Sequence, residues 1–300
     1  MAFAIRLRNA ALACVGVLAF APIAQAQETP APAAVTAPTS DWRRVPAENL
    51  LVIDTNKGRI LVEMAPEVAP LHVERMRLLA GRSFFDGIVF HRVIDAFMAQ
   101  TGDPLGTGEG QSPYPDVKAE FTFRRGAETP FTSVAEPAAS MLGFLNSLPI
   151  QTQPSALIGT TADGKVGGWG VYCPGVAGMA RDEPQDSANS QFFLMRQAYP
   201  SLDKRYTVWG RVVSGLDVVR AIKVGDGDNG AVTADPDRMI RVRVASDLPE
   251  GERPIVEVMD TGSAAFRTLS DAVRAARGAD FSICDIELPV QVSGAAAPAA

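Results

Sequence analysis

Glycine and proline cut this chain into short pieces. There are 26 glycines and 22 prolines in 300 residues, about one position in six. Glycine supplies turn conformations that other residues avoid, and proline breaks helices and interrupts sheet ladders. Such a chain favours a turn-rich body of short strands over a helical bundle. Apolar residues make up 47% of the chain and charged residues 21%, so a substantial core is available. The length suits one large domain or two small ones.

Two strands fit residues 50–54 and 59–65, joined by the hairpin turn Thr55-Asn56-Lys57-Gly58. A helix follows. Pro70 suits its first turn, Val73, Met76 and Leu79 recur at three-residue spacing, and Gly81 marks the stop. Two apolar runs, 88–94 and 96–101, lead into a glycine-rich loop over 106–110. Further strands fit 190–196, 206–213 and 238–245. A second helix fits 216–224, with Ser214 and Asp217 as a capping box and Gly225 as the stop.

Two regions read as additions to this body. Residues 124–175 contain a short apolar helix (Met141, Leu145, Leu148) and then a hairpin across Asp163-Gly164. Residues 254–288 read as strand, helix and strand, with Phe266, Leu269, Val273 and Ala276 on one helical face. A unit of that kind usually forms a right-handed crossover between parallel strands.

The N-terminus has the pattern of a secretory signal peptide over residues 1–26. Arg6 and Arg8 precede an apolar run over 10–20, and Ala24-Gln25-Ala26 fits a small-x-small cleavage site. The apolar run is about half the length of a membrane span. Cleavage after Ala26 is therefore expected, with no membrane insertion afterwards and a bacterial periplasm as the destination. Residues 27–46 read as a Pro/Ala-rich linker, with structure beginning around Trp42. Cleavage removes two arginines and no acid, taking the net charge from −6 to −8. An acidic chain without a basic run is poorly suited to nucleic acid. Cys173 and Cys284 remain; in an oxidising compartment they form either one bridge or two buried thiols, and neither has metal-site spacing.

The usual chemistries do not fit the remaining residues. The loop Gly106-Thr107-Gly108-Glu109-Gly110 lacks the spacing and the lysine of a phosphate cradle. Asp226, Asp228, Asn229, Asp235 and Asp237 do not fit a calcium loop and read as solvated turns. His72 and His91 are the only histidines, and no nucleophile elbow is present. What stands out is one arginine, Arg92, amid Phe84, Phe85, Phe90, Phe97 and Met98. By alternation Phe90, Arg92 and Ile94 share a strand face. An arginine in such company needs either a salt-bridge partner or a task.

The segment FFDGIVFHRVIDAFMAQTGDPLGTGEG, residues 84–110, resembles the signature of the cyclophilins, a family of peptidyl-prolyl isomerases. Gly178-Met179-Ala180-Arg181 and residues 187–193 resemble its second block, and Ser201-Leu202-Asp203 with 206–212 its third. The resemblance runs from about 50 to 245, interrupted by 124–175. It implies a mainly β fold, an eight-stranded antiparallel barrel capped by two helices, over 47–247, with an inserted region at 124–175 and a C-terminal strand-helix-strand extension at 248–300. It further implies that Arg92 is catalytic and oriented by Gln100. Phe97, Met98, Phe193 and Leu202 would line a proline pocket. Ala180 and Arg181 would run beside the bound peptide, Gln191 would shape that groove, and Tyr206 would stand at the rim where many members have histidine. Ser201 replaces a tryptophan common in eukaryotic members, and Thr101-Gly102 replaces Gly-Gly.

The reaction so implied rotates an amide whose barrier is roughly 18–20 kcal/mol, without breaking a bond. It needs no cofactor. The expected partners are proline-containing polypeptides of the cell envelope, met by a monomer. The alternative is a prolyl-segment-binding chaperone or assembly factor with little turnover.

Overall fold

The computed structural model describes residues 41–294. The signal-peptide pattern and residues 27–40 of the linker lie outside the described residues. The chain opens with β1 (Trp42–Arg44), β2 (Leu50–Thr55), β3 (Gly58–Met64), α1 (Pro70–Gly81), β4 (Arg92–Ile94) and β5 (Met98–Thr101). Then come β6 (Phe123–Arg125), β7 (Phe131–Ala135), β8 (Met141–Leu145), β9 (Leu148–Thr152) and β10 (Val166–Gly170). The chain continues through β11 (Val176–Met179), β12 (Phe192–Met195), β13 (Val208–Ser214), α2 (Leu216–Ala221) and β14 (Met239–Val244). It ends with β15 (Pro254–Met259), α3 (Ala264–Arg277) and β16 (Val290–Gly294).

Eight strands form one curled antiparallel sheet in the order β14-β2-β3-β13-β11-β12-β5-β4. Its two edges meet. Gly87 and Phe90 donate to the carbonyls of Met239 and Asp237 at 2.7 and 2.8 Å, and Met239 donates back to Ile88 at 2.9 Å. Within the curl Phe192 packs edge-on against both Phe85 and Trp209, at 5.5 and 5.6 Å between ring centres. Helix α1 lays Val73, Met76 and Leu79 on this core, as their spacing predicts. Its first turn is satisfied from a distance: Glu120 accepts the N–H groups of Leu71 and His72, both at 3.1 Å.

The structure corrects several details of the sequence reading. Met141, Leu145 and Leu148 lie on strands, not a helix, because Asn146-Ser147 makes a two-residue hairpin with Asn146 at φ 54°. All of β6 to β10 forms a five-stranded antiparallel sheet, order β6-β10-β9-β8-β7. Helix α2 has no capping box. It is entered through Gly215 at φ 88°, whose Cβ, were there one, would come 2.3 Å from the Arg59 carbonyl oxygen. It also ends at Ala221, not at residue 224. Phe90 does not share a face with Arg92. The strand begins only at Arg92, and Phe90, stitched to β14, turns into the barrel core.

The C-terminal extension is not a parallel crossover. Strand β15 pairs antiparallel with β16 on one side and with β1 on the other, so Trp42–Arg44, read as linker, belongs to this sheet. Residues 281–288 form no strand. Ile283 and Ile286 are buried there, and Cys284 is bonded to Cys173, with 5.1 Å between the two Cα atoms. That segment carries the chain back from α3 to the end of β15 it had left, which makes the return antiparallel. Ala276, expected on the packed face of α3, is exposed. The two additions share one apolar cluster, in which Phe144 meets Phe266 edge-on at 5.6 Å. Among the described residues no helix is long and apolar enough to cross a membrane.

Candidate active site

Strand register builds the site. Arg92 lies opposite Gln100, Gln100 opposite Phe193, and Phe193 opposite Gly178. Directly opposed residues share a sheet face. A cation, an amide and an aromatic ring are thereby set side by side. Gly178 leaves room for the ring, since a Cβ there would fall 2.5 Å from the Phe193 ring and 2.6 Å from the Tyr172 hydroxyl.

The row borders a cleft of about 560 Å³. Phe97, Met98, Phe193 and Leu202 supply its apolar wall, Leu202 from the short 3-10 turn Pro200–Leu202. Phe193 is held between rings: Tyr172 stacks on it at 5.8 Å and Tyr206 meets it edge-on at 5.9 Å. Phe97 is backed by Tyr199 at 4.5 Å. Ala180, Arg181 and Tyr206 border the same cleft. The Ala180 N–H already donates to the Gln191 carbonyl at 2.9 Å, so any main-chain contact from Ala180 to a ligand falls to its carbonyl. Arg181 lies over the Tyr206 ring at 4.7 Å and donates to the carbonyls of Arg205 and Asp182 at 3.1 and 2.7 Å. Ser201 is exposed on the turn.

The polar side of the cleft is a chain of directed hydrogen bonds. Arg92 Nη1 donates to Gln100 Oε1 at 3.0 Å, and Gln100 Nε2 donates to Gln191 Oε1 at 2.9 Å. Gln191 Nε2 then donates to the carbonyls of Gly108 and Gly110 at 2.8 and 3.0 Å. Gln191 thus stands one step behind the arginine, bordering a smaller side cleft. The glycine-rich loop, which holds no phosphate signature, anchors this chain. It folds around Asp103, whose carboxylate accepts the N–H groups of Leu105, Thr107 and Gly108 at 2.7, 2.8 and 2.5 Å. Burial pushes the Asp103 carboxyl up, but this backbone donation outweighs it and holds the group below its ordinary value.

Asn229, which reads as part of a solvated turn in the sequence, is a partner of Arg92 in the structure. Arg92 Nε donates to its carbonyl at 2.9 Å and Arg92 Nη2 to its side-chain Oδ1 at 3.0 Å. The signal was faint: an Asp/Asn cluster that suits turns as well as ligands. Burial lowers the affinity of the Arg92 guanidinium for its proton, and Tyr206 opposes that shift. Burial likewise lowers His91, which borders the cleft beside Arg92; Asp103 pulls the other way. No group of three or more metal-ligating side chains occurs among the described residues.

Comparison with known proteins agrees with this geometry. The family model "Cyclophilin type peptidyl-prolyl cis-trans isomerase/CLD" matches residues 50–244. A probable peptidyl-prolyl cis-trans isomerase of Brucella suis is 33% identical over 212 residues, covering 67% of this chain and 84% of its own. A peptidyl-prolyl cis-trans isomerase-like 1 of Aspergillus fumigatus is 28% identical over 200 residues, covering 67% of this chain and 98% of its own. Among solved structures, cyclophilin AquaCyp293 from Hirschia baltica superposes with a TM-score of 0.77 at 34% identity, covering 84% of this chain and 94% of its own. That coverage exceeds the stretch 50–244, so the likeness reaches into the C-terminal extension.

Proposed function

The chain belongs to the cyclophilin-type peptidyl-prolyl cis/trans isomerases, and from that premise we propose that Arg92 carries the catalysis by stabilising the twisted amide. Because no bond is broken, the catalyst has only to bind the twisted amide better than either planar form. The pyrrolidine ring sits against Phe97, Met98, Phe193 and Leu202 while the preceding peptide group turns. The Arg92 guanidinium donates to the neighbouring carbonyl oxygen and to the pyramidal proline nitrogen. Gln100 orients the arginine, Gln191 fixes Gln100, and Ala180, Arg181 and Tyr206 border the bound peptide.

The observation that carries this reading is the cation held by Gln100 beside an apolar pocket, with no carboxylate bonded to it among the described residues. Arg92→Ala tests it. Turnover of a prolyl peptide should fall about 10²–10³-fold, or roughly 3–4 kcal/mol, the usual loss for one transition-state donor. Peptide affinity should fall far less, since the apolar wall is untouched. Wild-type turnover in a folded Arg92→Ala protein overturns the mechanism.

We also place the enzyme outside the cytoplasm, acting as a monomer on proline-containing polypeptides of the envelope. The N-terminal export pattern and the Cys173–Cys284 bridge support this address, since structural bridges persist in oxidising compartments. Cell fractionation with N-terminal sequencing tests it: a cytoplasmic chain that keeps Met1 refutes it.

A further inference from the structure

The loop over residues 225–233 does more than join α2 to β14. We infer that Asn229 is a positioning residue that holds Arg92 in its working orientation through a neutral clamp. The inference rests on the reading of Arg92 given above.

An arginine has five N–H groups in a rigid fork. Asn229 takes two of them and Gln100 takes one. One N–H on each terminal nitrogen remains for a ligand. An unclamped arginine keeps rotamer freedom that must be lost again at each turnover. Two carboxylates, Glu109 and Asp228, border the same cleft, and neither is bonded to Arg92. Without the clamp the guanidinium is free to swing toward them and lose its charge to an ion pair. Amide and carbonyl oxygens hold the fork while leaving its positive charge available to the turning amide.

The loop is built to keep Asn229 in place. Asn229 stands at φ 56°, a conformation that asparagine tolerates better than most residues. Ala231 bridges Arg92 in the ladder, Gly225 donates to the Val93 carbonyl and Val232 to the His91 carbonyl, both at 2.9 Å. Asp226 ties the ends of the loop, accepting the Thr233 N–H at 3.0 Å and its hydroxyl at 2.8 Å. The cluster that reads as solvated turns in the sequence is thus folded onto β4, directly behind the arginine.

Asn229→Gly is the informative variant. Glycine adopts the same φ and keeps the main-chain acceptor, so the loss is confined to the side chain that carries Oδ1. On a prolyl peptide, kcat should fall about 10-fold with KM within about 2-fold, the pattern of an interaction that matters in the transition state. The melting temperature should stay within about 2 °C. The same change made in Arg92→Ala, assayed at raised enzyme concentration, should lower turnover no further, because a clamp has nothing left to hold. The inference is overturned if Asn229→Gly keeps wild-type kcat, if it melts early with turnover per folded molecule preserved, or if it lowers Arg92→Ala by the same factor as the parent. Arg92→Ala alone reports on the mechanism: if that variant loses activity and Asn229→Gly does not, the clamp fails and the catalytic reading stands.

Discussion

Around Arg92 the contacts are polar, directed and set by strand register. Gln100 bonds to the arginine, Gln191 to Gln100, and two loop carbonyls to Gln191, within a single face of the barrel. Along the seam between the insertion and the C-terminal extension they are apolar, with Phe144, Leu145 and Ile150 in one cluster with Phe266, Ile283 and Ile286 and a single covalent bond. The first kind of contact aims donors, and the second removes apolar surface from water without aiming anything. The two regions meet at the turn that carries Leu202. Tyr199 donates to the Tyr172 carbonyl at 2.8 Å, Tyr172 donates to Asp203 Oδ1 at 3.0 Å, and Lys204 lies 3.8 Å over the Trp169 ring of β10. Deeper in the seam, Arg211 of β13 donates to the Ser147 carbonyl at 2.8 Å. Burial pushes that guanidinium down to about 10, against Glu287 and Glu63, so it stays charged at neutral pH. The additions thus brace a wall of the cleft from behind and contribute nothing to the polar face that holds the arginine.

The largest effect expected from this division is on stability. The Cys173–Cys284 bond spans 111 residues, worth roughly 4–5 kcal/mol as an upper figure on the chain-entropy account. At about 2–4 °C per kcal/mol for a domain of this size, Cys284→Ala should lower the melting temperature by up to about 8–20 °C. Turnover per folded molecule at 25 °C should stay within about 2-fold, measured on the same preparation. A variant that keeps its melting temperature but loses activity breaks the division, because the additions would then belong to the catalytic face.

A smaller effect falls on the wall itself. Trp169→Ala removes the face on which Lys204 rests, an interaction worth about 0.5–1 kcal/mol at an exposed site. The turn carrying Leu202 should loosen, raising KM about 2–4-fold with kcat little changed. Steady-state kinetics on one prolyl peptide decide it, and an unchanged KM means that the insertion does not support the wall.

The same division explains what the sequence made legible. The barrel hairpin at 50–65 and α1 depend on local spacing, whereas Arg92, Gln100 and Phe193 were legible together only through the family resemblance. Partners that are far apart in the chain left no such trace. Trp42 pairs with Met259, which no local periodicity can report, whereas the Cys173–Cys284 bridge was one of the two outcomes the sequence left open for its pair of cysteines. Residues 141–148 misled because apolar spacing of four and three residues suits a helix and a tight hairpin alike; Asn146-Ser147 and Pro149 were the deciding marks. Asn229 was missed because its role depends on φ and on the fold of its loop onto β4, neither of which is written in residue type.

The only effect that leaves turnover and KM alone, and the sharpest on where the two regions touch, concerns Asp203. Burial raises its carboxyl from an ordinary 3.8 to about 6, opposed by the Tyr172 N–H and by Lys204. In the folded protein the proton is therefore held more tightly than in the unfolded chain. Below about pH 4 both states are protonated and the residue carries no penalty. Between about pH 4 and pH 6 the unfolded chain ionises first, so stability falls as pH rises, and above about pH 6 the penalty is complete and constant. Asp203→Asn should remove it while keeping an oxygen to accept the Tyr172 N–H. The carboxyl is only half-buried, so solvent screening cuts the full linkage value to about 1 kcal/mol. The variant should melt about 2–4 °C above the parent at pH 8 and level with it at pH 4, with turnover unchanged because Asp203 stands behind the wall. Melting curves across that range check both the sign and the window. A variant less stable than the parent at pH 8 would mean that the charge on Asp203 is used, by Lys204 or by the Tyr172 N–H, and that the brace between the two regions is electrostatic after all.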